Sequence, residues 1–144
     1  MRDSLHIDHP HAAWHASLSL RFAADGGTTR LRENTHSGPL RVQKALYPEG
    51  DKICHAIVIH PPGGVAGGDS LTITAQLGAS AHALLTSPGA AKWYRANGKR
   101  SQQSVRLEAG AGAAIEWLPQ ETIFFNDAVV RLDHEITLAH DASY

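Results

Sequence analysis

The residues most suited to chemistry sit in HPPGGVAGGD at positions 60–69. Gly63, Gly64, Gly67 and Gly68 permit positive φ or close backbone approach, while Pro61 and Pro62 stiffen the entry to the loop. Gly63 and Gly68 have the spacing of a phosphate-cradling GxxxxG loop, but Asp69 stands where that loop requires lysine and no helix N-terminus follows. A carboxylate there repels phosphate, so the loop is not a phosphate cradle. Asp69 offers oxygen ligands to a metal instead, with Cys54, His55 and His60 on the strand that feeds it. Strand alternation puts Cys54 and His60 on one face and His55 on the other, so the three cannot all meet at one ion. No CxxC or HExxH spacing occurs, and any metal site here is open, weak or transient. Beside it stands the ordinary reading: Cys54 as a small buried residue and His60 as a hydrogen-bonded turn residue.

Other chemistries find less to work with. No GxSxG elbow is present, and an apolar strand raises the pKa of the lone Cys54. Glu116 and Glu121 flank Trp117, Leu118, Pro119 and Gln120, but general acid–base work needs a geometry that spacing does not supply. No enzymatic activity is expected. Lys92, Trp93, Tyr94 and Arg95 combine aromatics and cations after the Ser87-Pro88-Gly89 turn, a composition suited to partner binding, with core packing as the alternative for Trp93 and Tyr94. Core packing is expected for Trp117 and Phe125. Of the 10 histidines, His6, His9, His11 and His15 crowd the N-terminus. A tract of that kind can bind divalent metal, although Pro10 and polar neighbours suggest a frayed tail over residues 1–13.

The elements that position these residues read as strands. Trp14, Ala16, Leu18, Leu20 and Phe22 alternate with polar residues, as do Leu71, Ile73, Ala75 and Leu77, and then Val130, Leu132, Ile136 and Leu138 with His134 interrupting. Residues 53–59 (ICHAIVI) form a nearly continuous apolar run, predicted to be a strand buried on both faces. Turn signals at 25–27 (DGG), 37–39 (SGP), 47–51 (YPEGD), 87–89 (SPG), 96–98 (ANG) and 110–112 (GAG) leave no room for an ordinary helix. The fold class is all-β. LGASAHA from Leu77 recurs as LEAGAGA from Leu107 and, more weakly, as LAHDASY from Leu138, a period of about thirty residues. This predicts a repeated hairpin, hence a β-superhelix or elongated β-sandwich of stacked hairpins. The third copy stops at Tyr144 where a return strand is due, so the domain, residues 14–144, is expected to be incomplete at its C-terminus, with an unpaired edge.

Composition narrows the functional classes. A chain of 144 residues with 42% apolar content can bury a core. Its 13 basic and 14 acidic residues provide no strong field for nucleic acid or an anionic membrane. No apolar run could span a bilayer, the N-terminus has no signal-peptide pattern, and the single cysteine fits a reducing compartment, so a soluble cytoplasmic protein is expected.

HSGPLRVQKALYPEG (36–50), CHAIVIHPPGGVAGGD (54–69), HALLTSPGAAKWYR (82–95) and IEWLPQETIFF (115–125) resemble, in order and with similar gaps, motifs of the urease accessory proteins UreD. The resemblance covers most of residues 36–125 and about the N-terminal half of such a protein; the His-rich first residues are not part of it. It implies a β-rich superhelix with a few helices and a cytoplasmic scaffold without enzymatic activity. Such a scaffold binds apo-urease and recruits UreF and the GTPase UreG. It also implies help in delivering Ni(II), a transient cargo rather than a tightly bound cofactor, through an internal passage. On that passage it places Asp69, with His60, His55 and Glu121 as further candidates. The rival class is a small divalent-metal-binding β module without a urease client, using the N-terminal histidines with Cys54 or His60. A third, a hydrolase using Glu116 or Glu121, requires a cleft with a raised carboxylate pKa.

Overall fold

The computed structural model describes residues 13–144, so most of the His-rich tail (His6, His9 and His11) lies outside the described residues. Alternating apolar residues build β1 (His15–Asp25), whose Ala16, Leu18, Leu20 and Phe22 point inward and are buried. It turns back through Gly26 and Gly27, both at positive φ, into antiparallel β2 (Thr28–Ser37). A second antiparallel pair, β3 (Arg41–Leu46) and β4 (Ile53–Ile59), follows. From β4 onward the chain changes habit.

It runs through β5 (Gly64–Val65) and β6 (Ser70–Leu77), then β7 (His82–Thr86), β8 (Ala91–Trp93) and β9 (Ser101–Ala109), then β10 (Ala114–Trp117), β11 (Thr122–Phe124) and β12 (Val130–Leu138). From β6 onward each strand pairs in parallel with its counterpart one circuit earlier, and β5 starts its own sheet as an edge strand. Three sheets result, in the orders β12-β9-β6-β1-β2, β10-β7-β4-β3 and β11-β8-β5. The chain visits them cyclically, so its path is a coil whose turns stack. Among the described residues there is no helix, and so none long and apolar enough to cross a membrane.

This all-β architecture agrees with the alternation in the sequence but corrects the repeated hairpin. The small-residue turns after Leu77 and Ala109 do not return the chain against the strand it has just left; they carry it to a different sheet. Pairing sets Leu77 against Ala109 and Ala109 against Leu138, so the repeat aligns on Ala109 and not on Leu107. In that alignment Ser80, Gly112 and Asp141 occupy one position, all with φ between 57° and 64°. Each closes a tight turn, with Ala81 N–H donating to Gly78 O, Ala113 to Gly110 O and Ala142 to Ala139 O. Left-handed backbone at the third turn residue marks a type II turn, which glycine, aspartate and, less readily, serine accept. The corners also bond to one another, Gly110 N–H to Leu77 O at 2.8 Å and Ala139 N–H to Ala109 O at 2.9 Å. Beyond the last corner Ser143 makes a parallel bridge to Ala114.

The core lies inside the coil, where in-register side chains form columns such as Leu18, Ile73, Val105 and His134, or Cys54, Ala83 and Ile115. On β4 only Cys54, Ala56 and Val58 are buried. Ile53, His55, Ile57 and Ile59 are half-buried, which corrects the two-faced burial expected of that run. Thr29 joins the antiparallel cap to the coil, its hydroxyl donating to Lys52 O and accepting from His82 N–H at 2.7 and 3.0 Å.

Close stacking of the corners yields a test. A methyl at Gly110 would sit 2.9 Å from Ala79 N and 3.0 Å from Leu77 O, backbone atoms that cannot move without opening the ladder. Gly110→Ala is expected to cost about 1–3 kcal/mol, whereas Gly89→Ala, which meets nothing within 4 Å, should change stability by less than about 0.5 kcal/mol. Denaturant midpoints of the two variants check this; equal midpoints would refute the tight corner.

Candidate functional site

The glycine-rich loop opens at His60, whose carbonyl accepts the Gly63 N–H at 2.9 Å, and closes at Asp69, whose N–H donates to Ala66 O at 3.0 Å. Pro61 and Pro62 stand exposed at the outer end of the first turn. The glycines are required by what lies on them. A Cβ at Gly64 would overlap the Tyr94 ring. One at Gly67 would come 3.0 Å from Lys99 O, and one at Gly68, already at φ +93°, 3.3 Å from the Lys99 stem. The loop is a bed for residues 94–99, one coil further along.

Asp69 is buried, 6% exposed, and structurally committed. Its Oδ1 accepts the Trp14 N–H at 2.9 Å and its Oδ2 the Ala66 N–H at 3.0 Å. One carboxylate thus closes the loop turn and fastens the start of β1. Charge-assisted bonds of this kind are what make an ionised side chain tolerable in a buried position.

Between the three sheets lies a cavity of about 270 Å³. Its wall is mostly apolar, with Val58, Val65, Ile73, Trp93 and Trp117 contributed by successive coils, and polar groups from His60, Gln103, Gln120 and His134. His134 packs edge-on to Trp117, ring centroids 6.0 Å apart. Burial pushes the His60 pKa below the usual 6.5, while the Asp69 charge works in the opposite sense. The ring is therefore held toward its neutral form, with a nitrogen lone pair to offer. Alternation already aimed position 134 inward; its place on the cavity wall depends on pairing with Val105, which no local pattern encodes.

The other metal candidates are dispersed. His55 Nε2 meets Glu49 Oε2 at 2.6 Å outside the cavity wall. Glu121 is exposed, and its carbonyl accepts the Ala91 N–H. Cys54 is fully buried and burial pushes its thiol pKa up. Among the described residues no three His, Cys, Asp or Glu side chains come together as a metal-binding group. Of the partner-binding set, Trp93 is 1% exposed and belongs to the core, because its place in register between Val65 and Phe124 points it inward. Lys92, Tyr94 and Arg95 remain at the surface. Trp117 packs against the core as expected, whereas Phe125 is 45% exposed, beside Tyr94 on the outside.

Residues 15–144 match the sequence model of UreD, the UreD urease accessory protein. The chain belongs to the UreD family. It is 69% identical over 129 residues to the urease accessory protein UreD of Janthinobacterium sp. (strain Marseille), an alignment covering 90% of this chain and 44% of that protein. It is 56% identical over 132 residues to UreD of Dechloromonas aromatica (strain RCB), covering 92% and 46%. With UreD of Azoarcus sp. (strain BH72) identity is 52% over 141 residues, covering 98% and 49%. The chain thus spans about half the length of the curated relatives it matches. Those relatives are named as accessory proteins, and none as an enzyme.

Two outcomes follow from the site. Asp69→Ala removes the acceptor of two part-buried N–H donors and is expected to lower stability by about 1–3 kcal/mol, with Asp69→Asn costing less; chemical denaturation without added metal checks it. The second concerns His60. Its depressed folded pKa means that the unfolded chain takes up a proton first as pH falls. Stability contributed by the neutral ring is full above the usual 6.5 and is lost as pH drops below it. The parent should therefore lose more thermal stability than His60→Gln between about pH 7.5 and pH 5; parallel losses would contradict the assignment.

Proposed function

We propose that this chain acts as a urease accessory scaffold: it binds apo-urease together with the accessory proteins UreF and UreG and supports assembly of the nickel centre in the cytoplasm, catalysing nothing itself. The observation that carries the reading is the family match across residues 15–144, joined to the 69% identity with one urease accessory protein UreD. Ni(II) is cargo in this reading, not a resident cofactor. In this reading its route passes the cavity, supported by His60 on the wall with a neutral-leaning ring and the Asp69 charge near it. His55 and Glu121 serve, if the route reaches them, outside that wall. Lys92, Tyr94 and Arg95 form part of the partner surface. The rival reading, a metal-binding module with no urease client, gains nothing from the described residues, which bring no three metal-ligating side chains together.

Affinity purification from cells expressing the urease genes tests the proposal, using the tagged chain and a version extended to its relatives' length. Apo-urease and UreF should co-purify, more strongly with the longer version. A soluble, folded protein of full family length that retains neither would sink the reading. Calorimetry with Ni(II) compares the intact chain with one lacking residues 1–12, and only weak uptake is expected from both; tight uptake by the intact chain that is lost with the tail would favour the metal module.

A further inference from the structure

Residues 92–100, KWYRANGKR, hold Lys92, Arg95, Lys99 and Arg100 with no acidic residue, in a chain whose formal net charge is −1. All four cations are exposed. Of these four cations only Arg95 has an ion-pair partner among the described residues, Asp127 at 3.6 Å. With side chains 73% and 59% exposed, that pair is weak.

Apolar surface lies among these charges. Tyr94, 42% exposed, rests on Gly64 and lies beside Phe125, the rings tilted by 45° with centroids 5.4 Å apart. Ile123, opposite Lys92 on the adjacent strand, is exposed as well. The segment is also held in place: Tyr94 N–H donates to Val65 O at 2.9 Å, Ala96 N–H to Asp127 O at 3.1 Å, and Lys99 lies over Gly67 and Gly68. Rigid aromatics bordered by unpaired cations have the composition of a binding hot spot, and their fixed backbone lowers the ordering cost of association.

We propose that this basic–aromatic platform docks an acidic segment of a partner protein, which sets an apolar or aromatic side chain on Tyr94 and Phe125 and its carboxylates against Lys92, Lys99 and Arg100. The proposal rests on the reading that the chain works through protein contacts. Charge complementarity selects the acidic partner, and the apolar Ile123 beside Tyr94 and Phe125 selects a protein segment over a bare phosphate backbone.

The test uses the intact chain and a fluorescent peptide of Asp and Glu residues with one central Phe. A lysine-substituted peptide, an oligothymidine of equal length and phosphatidylserine vesicles serve as comparators. The acidic peptide should bind best and weaken as salt is raised. Lys99→Glu with Arg100→Glu, both on exposed side chains, should reduce its affinity by about tenfold or more. Tyr94→Ala should act comparably, and Lys44→Glu on β3 should have no effect. Tighter binding of the oligothymidine or the vesicles, or acidic-peptide binding indifferent to the reversals at 99 and 100, overturns the platform. The two readings fail separately. A chain that binds the acidic peptide at these residues but no urease component keeps the platform and loses the accessory role. One that co-purifies with urease and ignores the peptide loses the platform alone.

Discussion

Parallel pairing of each strand with the strand one circuit earlier is the constraint on which the rest of the structure depends. Adjacent strands stand about 4.7–4.9 Å apart, so every inward side chain must fit the one above and the one below. That requirement explains the small residues at Ala75, Ala83 and Ala109 beside large ones at Leu77, Leu85 and Leu107, all buried. It also explains the cavity. Where the column of Ala16 and Leu71 reaches Gln103, and that of Ile73 and Val105 reaches His134, aliphatic packing gives way to polar groups and the interior opens.

The same stacking changes the meaning of the glycine-rich loop. Glycines beside an aspartate invite a ligand-centred interpretation, yet each of Gly64, Gly67 and Gly68 is explained by contact with the next coil, and both Asp69 oxygens accept backbone N–H groups. The chemical potential of the loop is thereby transferred to its neighbours. His60 faces the cavity on one side, and the Tyr94–Arg100 segment faces outward on the other.

Strand positions were legible in the sequence because alternation has a period of two and reports its own burial. The buried sets of β1 and β6 followed directly. Pairing was not legible: a turn that returns a chain on itself and a corner that sends it to another sheet use the same small residues. The partner that distinguishes them lies about thirty residues away. Matching the copies on leucine rather than on the left-handed corner residue misplaced the second copy by two positions. Trp93 and Phe125 show the same limit, since each aromatic reads alike from its neighbours and only register sends one inward and the other out. Of the candidate site, the loop could be located but its role could not, because the Trp14 and Tyr94 contacts are long-range.

The antiparallel cap has a consequence for how this polypeptide acquires its structure. The β1–β2 and β3–β4 pairs join segments that are near neighbours in the chain, and they come first. From β6 onward each strand adds to one that precedes it in the chain. Local contacts form before distant ones, and stacked repeats propagate from neighbour to neighbour. The order of pairing along the chain is thus compatible with the order in which the ribosome delivers it, each circuit having its template already synthesised.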